Sequence, residues 1–170
     1  MYITTFIFVV VTIIYLVKYF KYNMAVKKEF SHPIRINFFA AVSISMLMLA
    51  IIYKEYNPTI SAVFWYPGAA LHFYLTMHTI TFWINSNQEL GHSNPAWFIP
   101  IVGNVLVPVA GVGFASSGVL MYFFSVGMFF WIILFSIILN RIIFHHQLAV
   151  KFMPTMFILI APPAVGFIAH

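Results

Sequence analysis

A chain of 170 residues that is 63% hydrophobic and 6% charged, with a mean hydropathy of +0.99, cannot hide its apolar side chains in one soluble core. This composition excludes a soluble domain and predicts an integral membrane protein. The absence of cysteine excludes disulfides, thiolate metal sites and cysteine nucleophiles. In a membrane protein the net charge of +5 indicates which loops face the cytoplasm and is not a sign of nucleic-acid binding.

Six apolar segments follow one another along the chain, each near the ~20 residues that a helix needs to cross the hydrocarbon core. We therefore expect an all-α polytopic membrane protein with a single transmembrane domain over residues 1–170. A tight turn is predicted at Ser116-Ser117-Gly118, between the fourth and fifth segments. The six predicted spans cover approximately residues 2–20, 37–53, 60–84, 96–114, 119–144 and 154–170.

The basic residues are divided unevenly between the loops. Seven of the eight Lys and Arg side chains fall on one side of the six-span arrangement, and only Lys54 falls on the other. Because basic loops mark the cytoplasmic side, we expect loops 21–36 and 141–153 in the cytoplasm and the N-terminus outside, in the inner (plasma) membrane. The first span begins at Met1 and the last apolar run ends at His170, so we also expect a fragment of a longer protein or a truncated reading frame.

The fourth span is interrupted by prolines and glycines, which oppose a regular helix. In a bilayer such irregularity is tolerated only where the backbone is buried in protein or lines a cavity. At helical spacing the small residues share one face. That face suits either a pore wall or close helix packing, and the pattern leaves both open. The residues of the small face are Pro100, Gly103, Asn104, Val107, Pro108 and Gly111.

The second and sixth spans have similar small faces and alternate with bulkier spans. No predicted span contains a carboxylate, so there is no acid for proton or sodium coupling. A pore with small walls and a positive rim favours anions. Arg35, at the cytoplasmic mouth of the second span, is expected to attract them, or else to be an anchor held by lipid phosphate. The small-face residues are Asn37, Ala41 and Ser45 in the second span and Pro162, Pro163 and Gly166 in the sixth.

Seven histidines raise the alternative of a membrane-embedded metalloenzyme. His72 and His78 are six residues apart, on opposing faces of a helix, and the pair His145-His146 lies at a membrane edge. All three carboxylates fall in loops, away from these histidines. We therefore predict no catalytic residue, no metal and no cofactor. A histidine-dependent enzyme and a non-functional remnant of a transporter stay as alternatives.

Three stretches of the chain carry a resemblance to a known family. Residues 31–39 (SHPIRINFF), 94–111 (NPAWFIPIVGNVLVPVAG) and 154–164 (PTMFILIAPPA) resemble the tellurite-resistance/dicarboxylate transporter family, which includes the plant slow-type anion channels. The stretches occur in the family's order, and the resemblance covers nearly the whole chain. It implies ten transmembrane helices in five hairpins, an inner ring of kinked helices around a pore, and a homotrimer.

Placed on that pattern, the six spans resemble family helices two to seven, and the second, fourth and sixth spans would be inner pore helices. The family's gating phenylalanine lies in helix nine, so no residue of this chain is assigned that role. Ser43 stands where some relatives carry a mid-helix proline, so a kink there is not implied. The resemblance implies anion transport, of a C4-dicarboxylate, tellurite or a small inorganic anion, with membrane lipids as further partners and no nucleic acid.

Overall fold

The computed structural model describes residues 2–87, 93–145 and 150–169. Every regular element in these ranges is a helix, which confirms the all-α prediction. The 3-10 helices Arg35–Phe39, Pro95–Phe98 and Val150–Ile160 each lead directly into an α-helix. The α-helices of these ranges are α1 (Tyr2–Lys21), α2 (Asn23–Phe30), α3 (Ala40–Lys54), α4 (Pro58–Asn85), α5 (Ile99–Gly111), α6 (Ser117–Phe144) and α7 (Ala161–Ala169).

Three helices in the described ranges are long and apolar enough to cross a membrane, namely α1, the continuous helix Arg35–Lys54, and α6. Two shorter apolar helices, Pro95–Gly111 and Met153–Ile168, occupy the places of the predicted fourth and sixth spans. The predicted third span falls within α4, a helix of 28 residues. The chain is thus a multi-pass membrane protein, while the count of six spans stays a prediction.

Asn-Pro pairs begin two of the helices. The side chain of Asn57 accepts a hydrogen bond from the Ile60 amide (3.1 Å), and the side chain of Asn94 accepts one from the Ala96 amide (2.9 Å). In both cases a proline follows in the first helical turn, where its missing N–H is not needed. The second cap fixes where the helical segment that leads into α5 begins.

The turn between α5 and α6 lies earlier than the sequence pattern predicts. Gly113 has a positive φ of 89°, and the Phe114 amide donates to the Gly111 carbonyl at 2.9 Å. Ser117 already belongs to α6, so the turn predicted at residues 116–118 is wrong. The backbone reverses at Gly113 because a positive φ is adopted without strain only by glycine.

The centre of the bundle is α5, which contacts α3, α4, α6 and α7. One core cluster packs around Leu106 and Val107 with residues of α3, α4 and α6. A second cluster packs around Phe98 and Ile101 with residues of α6. By contrast, α1 has no buried residue and reaches the bundle through α2 and α3. The middle of the chain therefore forms the core, and the first helix lies at its edge.

Glycines let α5 approach its neighbours closely. A Cβ at Gly103 would overlap the imidazole ring of His72 in α4, and one at Gly111 would come within 3.0 Å of side chains of α4 and α6. A Cβ at Gly127 of α6 would lie 2.5 Å from Val105 of α5. The small face of α5 thus packs directly against neighbouring helices.

We expect Gly103→Ala to lower the free energy of unfolding by about 1–3 kcal/mol, as overpacked core substitutions do, because the new methyl group would overlap His72. Gly118→Ala is the matched control, since a Cβ there meets no atom within 4 Å. Unfolding of the purified protein in detergent measures both variants. Equal stability of Gly103→Ala and the wild type would show that α4 and α5 are not packed this closely.

Candidate functional site

Most of the residues predicted to line a pore are buried between helices of this chain. Against α4 and α6, the small face of α5 makes the close contacts that were the alternative to a pore wall. That this face also borders a pore stays a prediction. Among the predicted residues, Ser45 and Pro163 are half-buried and Ala41 is exposed, whereas Asn37, Pro100, Gly103, Asn104, Val107, Pro108, Gly111, Pro162 and Gly166 are buried.

The predicted common face of Asn37, Ala41 and Ser45 is not formed. Asn37 lies in the 3-10 helix before α3, has 0% exposure, and donates to the carbonyls of Pro33 and Ile34 at 3.2 Å each. Ala41 and Ser45 belong to α3 and border an open cleft instead. The prediction assumed one α-helix from residue 37, whereas a 3-10 helix has three residues per turn and rotates Asn37 away from the other two.

A buried polar network joins α4 to the start of α5. The carbonyl oxygen of Pro100 lies 2.9 Å from His72 Nε2, 3.0 Å from Thr76 Oγ1 and 2.9 Å from Asn104 Nδ2. Because a carbonyl only accepts, all three side chains must donate to it. Asn104 Nδ2 also donates to Thr76 Oγ1 at 3.1 Å. Three side chains with 2% exposure or less therefore converge on one backbone oxygen.

The same network extends to α3 through Ser43. Its hydroxyl lies 2.8 Å from His72 Nδ1 and 2.8 Å from the Ala40 carbonyl. A neutral His72 has one ring proton, which Nε2 donates to the Pro100 carbonyl, so Nδ1 can only accept. The Ser43 hydroxyl has a single proton, which it donates either to His72 Nδ1 or to the Ala40 carbonyl. His72 and Thr76 are four residues apart, which is helical spacing, but their common acceptor is a backbone atom that no sequence pattern marks. α3 runs as an α-helix through Ser43.

A cleft with a volume of about 500 Å³ lies between α1 and α3. Its walls are mostly apolar, and its charged groups are Lys18, Glu29 and Arg35. Ala41 and Ser45 border it as well, so it brings together Arg35 and two residues of the predicted pore lining. The lining residues are Phe8, Val11, Thr12, Tyr15, Leu16, Lys18, Glu29, Arg35, Phe38, Phe39, Ala41, Val42 and Ser45.

One carboxylate faces two cations at the charged end of this cleft. Lys18 Nζ lies 2.8 Å from Glu29 Oε2, and Arg35 Nη1 lies 3.7 Å from Glu29 Oε1. The hydrogen bond from the Lys18 ammonium holds the pKa of Glu29 below its ordinary value of 4.5. The Arg35 side chain is 62% exposed. The cleft therefore keeps an excess positive charge, with Arg35 turned towards its surroundings.

The histidines have separate surroundings. His72 belongs to the buried network, and His78 stacks on Phe30 with ring centroids 4.4 Å apart. His145 follows α6, and His146 lies outside the described residues. No group of three His, Cys, Asp or Glu side chains that could hold a metal ion occurs in the described part of the chain.

Comparison with known proteins assigns this chain to a family. The whole chain, residues 1–170, matches the family described as voltage-dependent anion channel. The chain belongs to this family, as its resemblance to the tellurite-resistance/dicarboxylate transporters implied.

Three relatives illustrate the similarity. An uncharacterized transporter of Methanocaldococcus jannaschii is 28% identical over 99% of this chain and 53% of its own length. The S-type anion channel SLAH2 of Arabidopsis thaliana is 32% identical over 94% of this chain and 31% of its own length. The tellurite resistance protein TehA homolog of Haemophilus influenzae is 25% identical over 96% and 50%, respectively. The chain thus spans about half or less of the length of these relatives.

We expect the contact between α1 and the Glu29 segment to loosen in acid. Because the folded pKa of Glu29 lies below 4.5, this contact stabilises the folded chain above about pH 4.5 and is lost as the pH falls through the lowered value. Amide-exchange protection of α2 between pH 6 and 3 measures this loss. Glu29→Gln should remove the pH dependence, whereas Glu55→Gln, beyond the opposite end of α3, should retain it. The same profile in all three proteins would contradict the assignment.

Proposed function

We propose that this chain forms part of an anion-conducting pathway across a membrane. The observation that carries the proposal is the family match over residues 1–170. Relatives named as an S-type anion channel and a tellurite resistance protein support anions as the transported class. A C4-dicarboxylate, tellurite or a small inorganic anion is the proposed substrate, and no catalytic role is assigned.

The distribution of charge supports an anion rather than a cation. The only carboxylates of the chain are Glu29, Glu55 and Glu89, and none lies in α3, α4, α5 or α6. Arg35 and Lys18 meet at one end of the cleft, where a single carboxylate faces them both. A cationic entrance attracts anions and repels cations. Arg35 is therefore the proposed anion-attracting residue.

The basic segments support an orientation. Segment Arg35–Phe39 contacts Pro95–Phe98, which in turn contacts Val150–Ile160, so the basic loops share one end of the bundle. Lys54 lies at the other end, where its Nζ is 3.4 Å from the Val109 carbonyl. We propose that the basic end faces the cytoplasm, that the protein resides in the inner (plasma) membrane, and that the intact protein is a homotrimer.

Flux through liposomes tests the proposal. The 170-residue chain and the longest reading frame that contains it are reconstituted separately, and anion efflux is recorded under an anion gradient. We expect flux from the longer protein, with permeability that favours anions over cations. Cation-selective flux, or no flux from either chain, would refute the proposal. Stoichiometric iron or zinc in the purified protein would favour the histidine-dependent enzyme instead.

Neutralising Arg35 should reduce anion flux. We expect Arg35→Gln to lower the flux by roughly two- to tenfold at low ionic strength and by less at high salt, since electrostatic attraction is screened. Lys28→Gln is the matched control, because Lys28 is an exposed cation of α2 that does not line the cleft. Equal losses in the two variants would indicate that Arg35 acts only as part of a general surface charge.

Cysteine accessibility distinguishes the two roles left open for α5. The chain has no cysteine, so single substitutions report on one position each. We expect Ser45→Cys to react with a small anionic thiol reagent, because Ser45 borders the cleft. Reaction of Asn104→Cys would show that the small face borders the pathway. Reaction of Val102→Cys and Val109→Cys, which are half-buried in α5, without reaction of Asn104→Cys would show that the small face only packs.

A further inference from the structure

Arg141 is a buried cation near the end of α6. Its residue exposure is 8%, and its Nη1 donates to the carbonyl of Ser93. Both ion pairs found among the described residues involve Glu29, so neither involves Arg141. A guanidinium has five N–H donors, and a buried charge without an anionic partner is strongly unfavourable. Arg141 therefore presents more donors than the described protein groups use.

Two indole N–H groups in the same region also lack acceptors. The rings of Trp83 and Trp97 stack with centroids 5.1 Å apart and an interplanar angle of 23°. Both Nε1 atoms are buried without a hydrogen-bond partner in the part of the chain that the structure describes, and Trp97 is 6% exposed. An indole nitrogen only donates, and a buried donor without an acceptor is destabilising. A bound group with hydrogen-bond acceptors would therefore stabilise each indole N–H.

Arg141 lies on α6 between Ile138 and Ile142, which pack in or against the cluster that holds the two tryptophans. Trp97 packs in a cluster with Ile138, one helical turn before Arg141, and Trp83 and Ile142 pack against that cluster. Ser93, which accepts from Arg141, immediately precedes the Asn94 cap of the segment that carries Trp97. This part of the bundle therefore combines a guanidinium with two indole donors, and no carboxylate of the described residues pairs with Arg141.

We propose that Arg141, together with Trp97 and Trp83, binds an oxyanion of the phosphate class. The planar guanidinium fork matches two oxygens of such a group, and each indole N–H supplies a further donor. The oxyanion is either free in solution or the headgroup of a lipid at the basic end of the bundle. Arg141 does not line the cleft that contains Arg35, so this site does not depend on the proposed transport function.

Titration of the purified, delipidated protein tests the proposal with two probes, inorganic phosphate and short-chain phosphatidic acid, at constant ionic strength. Binding is followed by the shift in unfolding temperature and by tryptophan emission. We expect at least one probe to stabilise the wild type and to change the emission. Phosphate alone indicates a free oxyanion, and phosphatidic acid alone indicates a lipid headgroup; both outcomes support the site.

Variants assign the binding to these residues. Arg141→Gln should weaken binding at least tenfold, Arg141→Lys should retain part of it because the charge remains, and Trp97→Phe should weaken it severalfold through the loss of one donor. Lys28→Gln, which removes an exposed cation of α2 that does not line the cleft, is the matched control and should bind as the wild type does. If Arg141→Gln does not fold, the binding affinity of Trp97→Phe tests whether these residues form the site.

Two results would overturn the proposal. The first is that neither probe binds the wild type. The second is that a probe that binds the wild type binds Arg141→Gln and Trp97→Phe equally tightly. If neither probe binds the wild type but one of them binds Glu89→Gln, a carboxylate of the chain is the acceptor that Arg141 uses. Glu89 lies outside the described residues.

Discussion

The carbonyl of Pro100 is the acceptor on which the centre of this bundle depends. Hydrocarbon offers no partner to a polar group, so an imidazole, a hydroxyl and a carboxamide inside the bundle must bind one another or the backbone. His72, Thr76 and Asn104 all donate to this one oxygen, and Ser43 adds α3 to the network. Sliding α4 along α5 by one residue would break several of these bonds together, so the network fixes the register of three helices.

The same constraint explains why α5 is small and irregular. The imidazole of His72 reaches the Pro100 carbonyl only because Gly103 has no side chain in its way. Gly111 and Gly127 give neighbouring helices similar access. The glycines that suggest a pore wall therefore allow close packing within this chain. If the small face of α5 also borders a pathway, it must both pack against its neighbours and line that pathway.

Positive charge at the basic end occurs in two physical settings. Arg35 is exposed at a cleft and shares a carboxylate with Lys18, so its field extends into the surroundings. Arg141 is buried beside a carbonyl and a layer of aromatic rings, where low polarity strengthens its attraction for a partner. The first setting suits transient attraction of anions, and the second suits bound ones.

Sequence alone determined the membrane class and the helical fold, because composition and span length are local properties of the chain, and it predicted the sidedness of the basic loops from their charge. It also predicted Arg35 and the small residues of α5 as candidate pathway residues, and that role stays a prediction. It misplaced the turn after α5 and grouped Asn37 with Ala41 and Ser45, because a 3-10 segment cannot be distinguished from an α-helix by apolar spacing. Tertiary structure decided which partners these residues have. The common acceptor of His72 and Thr76, the cleft beside α1 and the setting of Arg141 all join residues distant in sequence, and such contacts exist only once the helices pack.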